Sequence, residues 1–194
     1  MGNPPNHPPL LRPHLHIEGL FRKCGSVTRI KALKVEYGTH CLEMALPCDV
    51  ATLVKQFLRD LPEPLIPARL QGPLCQVQHQ EHQDEARSQL ILLLTCLLPP
   101  RSTTVLRYLF IFLQDVAAKC AQNKMDSANL AVVFAPNLFS NESCGPLDGG
   151  AEERMQRQVA VVQVLICHAP EIGKPNFYVW RQTEGAVVPV CRRD

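Results

Sequence analysis

The chain has 194 residues, of which 46% are hydrophobic and 20% charged, so it can build one packed domain, and global disorder is excluded. Its formal net charge of +2 argues against a general nucleic-acid binder, because such proteins carry a strong basic excess. The nine cysteines include no CxxC pair and have no cysteine or histidine partner at zinc-site spacing. We therefore expect reduced thiols in a cytoplasmic protein and no metal site.

The first part of the chain is rich in proline. Residues 1–13 contain five prolines, which forbid a helix and favour an extended, solvated arm that we place at residues 1–16. We expect the folded domain to begin after it and to cover residues 17–177. From Tyr178 onwards no hydrophobic periodicity remains, so residues 178–194 are predicted to form a disordered tail.

The stretch Ile17–Ser26, which we call the arginine loop, organises the rest of the interpretation. Gly19 and Gly25 bracket five residues and allow the backbone to turn sharply. We expect Leu20 and Phe21 to anchor the loop on the core and to hold Arg22 out at its tip. A guanidinium suits phosphate oxygens, because its planar fork donates two hydrogen bonds and keeps its proton. The alternative is an ordinary surface arginine between two helices.

Two helices are predicted after the loop. A short one covers Val27–Val35, with Ser26 as its N-cap. A clearer one starts at Asp49 as N-cap and ends before Pro62. Its apolar residues share one face: Val50, Leu53, Val54, Phe57, Leu58 and Leu61.

Two cations on this second helix, Lys55 and Arg59, fall almost opposite the apolar face. They lie four residues apart and repel mildly, so they add nothing to the helix itself. They are either ordinary solvated side chains or part of a surface that meets a charged partner.

The later helices are strongly apolar. The periodicity predicts four of them, at Ala86–Leu98, Thr103–Cys120 with Ser102 as N-cap, Asn129–Ala135 and Glu152–His168. Asn137 follows Pro136, which should end the third of these helices, and it either satisfies backbone groups of the turn or projects into a site. No stretch alternates with period two, and no β-hairpin signal is present. The fold class is therefore all-α, with five to seven helices around one core.

The sequence contains no recognisable catalytic or nucleotide-binding motif. It lacks a glycine-rich phosphate loop followed by Lys and Ser or Thr, so it should not bind nucleotide alone, and no Ser/His/Asp or Cys/His arrangement stands out. The longest apolar run, Leu90–Leu98, is too short to span a bilayer. We expect no cofactor. The cations and amides that remain could meet a charged partner without performing a reaction.

Three blocks together resemble a known family, the Rho GTPase-activating (RhoGAP) domain. They are Glu18–Lys23 with Gly25 and Ser26, then Leu53–Leu65, then Lys124 and Met125 with Asn129–Leu138. The blocks occur in the order and at the spacing of that family, and the resemblance covers roughly residues 17–177. The first and third blocks are most similar to the subgroup of Rho GTPase-activating protein eleven.

The resemblance implies a helical domain that docks on the switch regions of a GTP-bound Rho-family GTPase as a monomer. It implies that Arg22 is the arginine finger, the residue that enters the partner's site and stabilises charge on the phosphate oxygens. Lys55, Arg59 and Asn137 match positions that brace the finger loop or contact the GTPase. Gly19, Gly25 and Asn129 match positions of structural support.

The chain also departs from the family pattern. Cys24 stands where Ser or Thr is usual, and Ala135 where Gly is commoner. The family normally has a helix before the finger loop, where this chain has the proline-rich arm. We therefore expect Leu20, Phe21 and part of the Ala86–Leu98 helix to lose their cover. The alternative function is a catalytically weak or inactive RhoGAP-fold module that binds a GTPase or another partner.

Overall fold

The computed structural model describes residues 11–35, 45–77, 84–139, 150–174, 179–183 and 186–190. Across these ranges the chain is built mainly of helices. The eight α-helices described there are α1 (Val27–Val35), α2 (Pro47–Arg59), α3 (Ala68–Val77), α4 (Asp84–Thr95), α5 (Pro100–Ala117), α6 (Cys120–Asn123), α7 (Ser127–Leu138) and α8 (Ala151–Cys167). Short 3-10 helices lie at Arg12–His14 and Ala169–Glu171. The predicted all-helical domain is confirmed, with more helices than the five to seven expected.

The core is organised around the pair α7 and α8. Helix α8 packs against α3, α4, α5 and α7, and α7 also contacts α2 and α5. The buried residues of α7 lie at the spacing of one helix face: Leu130, Ala131, Phe134, Ala135 and Leu138. The side chain of Phe21 reaches into the same core and is fully buried. The arginine loop is therefore anchored on the central helices of the domain.

Helix α1 has the bounds that the sequence predicts, whereas helix α3 was not predicted. The sequence of α3 contains Gly72 and Pro73, which both disfavour a helix. Burial of Leu70, Leu74 and Cys75 in the core outweighs this local preference.

Proline explains three of the differences between the predicted and the observed helix ends. Helix α2 begins at Pro47 and α5 at Pro100, so neither Asp49 nor Ser102 is the N-cap. A proline suits the first turn of a helix, because its missing N–H would have no intrahelical partner there. Helix α7 continues through Pro136 to Leu138. Pro136 lies in the last turn, where it forfeits only its own bond to the carbonyl of the exposed Val132.

The segment before the arginine loop is packed, which corrects the expectation of a solvated arm over its described part. Leu11 is 1% exposed, and Leu15 packs against the core. Leu20 and Phe21 are both fully buried, so the predicted loss of their cover is wrong. Leucines at the end of the proline-rich segment supply apolar contacts here. On the helix predicted at Ala86–Leu98, Leu93 and Leu97 are exposed, as expected for part of that helix.

The sequence carries no β-hairpin signal and predicts a disordered tail over residues 178–194, but the final described segment is a two-stranded antiparallel ribbon. Strand β1 (Val179–Thr183) pairs with β2 (Ala186–Val190), with Val179 opposite Val190. Both strands lie after the helical domain. Among the described residues, no helix has the length and apolarity required to cross a membrane.

Candidate functional site

The arginine loop folds back on itself around Gly19. The backbone N–H groups of Arg22 and Lys23 both donate to the Gly19 carbonyl, at 2.9 and 2.8 Å. Gly19 has φ 72° and Phe21 has φ 71°. Glycine adopts this left-handed region freely, but for a bulky residue such as phenylalanine it is strained by about 1–3 kcal/mol. In this conformation Phe21 is buried, whereas the next residue, Arg22, is exposed to solvent.

The side chain of Phe21 holds the loop in this strained geometry. Its ring packs edge-on against Phe134 of α7 at 5.0 Å and against Phe112 of α5 at 6.0 Å between centroids. Edge-to-face aromatic pairs add to the stabilisation that burial alone gives. One buried ring thus fixes the backbone directly beside Arg22.

Arg22 is exposed, and its guanidinium makes no hydrogen bond or ion pair with any other residue in the part of the chain that the structure describes. Its neighbour Lys23 instead pairs with Glu18, at 3.5 Å between Nζ and Oε1. The loop therefore presents one free, permanently charged fork at its tip.

The helix projection predicts Lys55 on a solvated face, but in the structure its side chain is half-buried. Its ammonium group donates to the Phe21 carbonyl oxygen at 2.6 Å. Burial lowers the pKa of Lys55 below its usual value of 10.5, and the nearby charge of Arg59 lowers it further. Lys55 therefore fixes the same peptide that the Phe21 ring anchors.

Asp49 closes the other end of the loop, and the sequence analysis missed this role. It is fully buried, and its carboxylate accepts from the Ser26 N–H at 2.8 Å and from Arg29 Nε at 2.7 Å. The hydrogen bond from Arg29 holds the pKa of Asp49 below its usual value of 3.8, against the opposing effect of burial. A Cβ atom on Gly25 would lie 2.4 Å from Asp49 Oδ1, so only glycine permits this approach.

Arg59 and Asn137 lie together at a cleft of about 210 Å³ between α2 and the end of α7. Apolar side chains line the rest of it: Leu58, Leu61, Pro64, Pro136, Leu138 and Phe139. Asn137 lies inside α7 rather than beyond it, and its Nδ2 donates to the Val133 carbonyl at 2.6 Å. The cleft is therefore lined by one cation and one amide together with apolar side chains.

Asn129 stands apart from this cleft, near the start of α7. Its side chain is exposed and its Nδ2 lies 3.4 Å from the Lys124 carbonyl oxygen, while its backbone N–H donates to the N-cap Asp126 at 2.7 Å. These contacts order the first turn of α7.

Comparison with known proteins decides the family. The RhoGAP domain matches residues 10–143 of this chain. The chain belongs to the RhoGAP domain family. Human Rho GTPase-activating protein 11A is 48% identical over 171 residues, which cover 86% of this chain, so the predicted similarity to that subgroup is confirmed. Rho GTPase-activating protein gacY of Dictyostelium discoideum is 34% identical over 161 residues, which cover 81% of this chain. The chain spans 16% and 22% of the length of these two relatives.

Solved structures of RhoGAP-type domains have the same fold. The BH domain from Graf, the GTPase regulator associated with focal adhesion kinase, superposes with a TM-score of 0.73 at 27% identity, covering 85% of this chain and 89% of that one. Human Rho GTPase activating protein 15 also gives a TM-score of 0.73, at 23% identity, covering 84% of this chain and 78% of that one.

The RhoGAP domain's buried carboxylate leads to a pH-dependent prediction. The folded-state pKa of Asp49 lies below its value of 3.8 in the unfolded chain, so the unfolded state binds more protons as the pH falls through this range. We expect Asp49→Asn to lower the urea midpoint of unfolding by a constant amount between pH 5 and 7, because the Arg29 pair is lost. The difference from the native domain should shrink below about pH 4. A difference that grows on acidification would contradict the ionised state assigned to Asp49.

Proposed function

We propose that this domain accelerates GTP hydrolysis by a Rho-family small GTPase and supplies Arg22 to the partner's active site. The observation that carries the proposal is the free, exposed guanidinium of Arg22 on a loop whose backbone is fixed on both sides. The family membership sets the class of partner. In this role the domain has no substrate pocket of its own and completes the active site of another protein.

Fixing the loop matters because phosphoryl transfer depends on placing positive charge where negative charge develops. The transferred phosphoryl group carries spread negative charge in the transition state, and a donor placed in advance stabilises it without reorganising. Phe21, Lys55 and Gly19 hold the peptides on either side of Arg22. The loop is therefore ordered before the partner binds, and little conformational entropy is lost when Arg22 reaches the transition state.

The docking surface in this proposal comprises Arg59, Asn137 and the exposed side of α2. Arg59 and Asn137 would bind polar groups of the GTP-bound partner at the rim of the apolar cleft. Phe57 is 62% exposed although the sequence predicts it on the core face of α2, and in this proposal it adds apolar contact area to the exposed side of α2. Lys55 would act through the loop rather than by direct docking.

The proposal is tested by single-turnover GTP hydrolysis with a panel of Rho-family GTPases at increasing domain concentration. We expect at least one partner to hydrolyse GTP faster, with a rate that saturates, and with tighter binding of the GTP-bound form. Binding without acceleration would support the alternative of an inactive binding module. Absence of both binding and acceleration across the panel would contradict the proposal. The monomeric state and the cytoplasmic location remain predictions.

A further inference from the structure

A buried asparagine, Asn123, joins the arginine loop to two other segments of the domain. It is the last residue of α6 and is fully buried. Its Nδ2 donates to the carbonyl oxygens of Leu15 at 2.7 Å and Val116 at 2.8 Å, and its Oδ1 accepts from the Met125 N–H at 2.7 Å. A carboxamide has two N–H donors and one carbonyl oxygen, and all three groups are engaged here.

The backbone of Asn123 makes a fourth contact, directly with the arginine loop. Its carbonyl oxygen accepts from the Gly19 N–H at 2.8 Å, and the Gly19 carbonyl in turn accepts from the Arg22 N–H at 2.9 Å. Two consecutive hydrogen bonds therefore connect Asn123 to the backbone of Arg22. Lys124 follows in the left-handed conformation, with φ 59°, which allows the chain to turn directly after Asn123.

We propose that Asn123 is a positioning residue that sets where the arginine loop begins and thereby orients Arg22 for the reaction. The inference rests on the proposed function. Leu15 lies just before the loop and Gly19 near its start, Val116 is near the end of α5, and Met125 leads into α7. One side chain thus fixes the start of the loop against the two helices whose Phe112 and Phe134 hold Phe21.

The substitution Asn123→Asp isolates this role, because it keeps the size of the side chain and replaces its N–H donors by a carboxylate oxygen. That oxygen would face the Leu15 and Val116 carbonyls, which are acceptors and would repel it. The acceptor for Met125 remains. We expect the approach to the loop to loosen and Arg22 to occupy its productive position less often.

The test uses single-turnover GTP hydrolysis to separate the maximal rate from the domain concentration that gives half of it. We expect Asn123→Asp to lower the maximal rate about 10–100-fold and to change the half-saturating concentration little, because misplacement mainly affects the transition state. Gln122→Glu is the matched control, since it makes the same amide-to-carboxylate change at the exposed neighbouring residue. It should behave like the native domain.

Two further measurements separate a positioning role from a general loss of folding. In an Arg22→Ala background, Asn123→Asp should have no additional effect on the rate, because Asn123 affects the rate only by positioning Arg22. Amide hydrogen exchange should show faster exchange at Gly19 and Arg22, with α8 protected as in the native domain. The exchange result holds even if no GTPase responds, so failure of the inference and failure of the proposed function are distinguishable.

The proposal is overturned if the half-saturating concentration rises in proportion to the loss of rate, or if Gly19 and Arg22 stay protected. It is also overturned if the lost activity equals the unfolded fraction measured by circular dichroism. Asn123→Ser, which keeps one donor in a smaller side chain, serves if the aspartate variant does not fold. Failure of both to fold would assign Asn123 to the stability of the fold instead.

Discussion

Replacing Arg22 with alanine is expected to remove nearly all acceleration of GTP hydrolysis and to leave binding to the GTP-bound partner largely intact. An arginine supplied in trans contributes on the order of 10³–10⁵ in rate in Ras-type systems, which sets the scale of the loss. A residue that binds the transition state more strongly than the ground state affects the maximal rate rather than the affinity. The maximal single-turnover rate and the equilibrium affinity for the GTP-bound form measure the two effects separately.

Lys23→Ala is the matched control, because Lys23 is the adjacent cation, is also exposed, and its ion pair among the described residues is with the exposed Glu18 at 3.5 Å. Such surface pairs contribute little, so this variant should keep most of its activity. Arg22→Lys should lose most of the acceleration, because an ammonium group lacks the planar fork. Equal losses of rate and affinity in Arg22→Ala would contradict the finger role.

The sequence predicted the tip of the arginine loop well because its determinants are local. Two glycines at fixed spacing and two large apolar residues before an arginine specify a turn with a buried anchor, and Phe21 is fully buried as expected. The residues that close the loop are different. Asp49 lies 23 residues from the Ser26 N–H that it accepts, and Asn123 lies 108 residues from Leu15. Local sequence patterns cannot predict contacts between residues so far apart in the chain.

The orientation of side chains on α2 shows a second limit of sequence patterns. A helix projection places Lys55 with the solvent-facing residues and Phe57 with the core residues, yet Lys55 is half-buried and Phe57 is 62% exposed. A lysine has a long apolar stem and can carry its charge to a distant acceptor, here the Phe21 carbonyl.

Replacing Phe21 with alanine is expected to destabilise the domain by about 3–5 kcal/mol, the usual cost of deleting a large buried aromatic side chain. The loss includes the edge-on contacts with Phe112 and Phe134, at 6.0 and 5.0 Å between centroids. Since a typical domain is stable by only about 5–15 kcal/mol, this loss is a large share of the total free energy of unfolding. Urea denaturation followed by circular dichroism would measure the loss as a lower midpoint.

Phe57→Ala is the matched control for this prediction, because it deletes the same ring from an exposed position on α2. Its unfolding free energy should change by no more than about 0.5 kcal/mol, as for most surface substitutions. Phe21→Leu should fall between the two, since it retains apolar volume but loses the aromatic contacts. If Phe21→Ala unfolds at the native midpoint, the ring does not anchor the loop, and the hydrogen bonds of Lys55 and Gly19 must hold the strained backbone at Phe21.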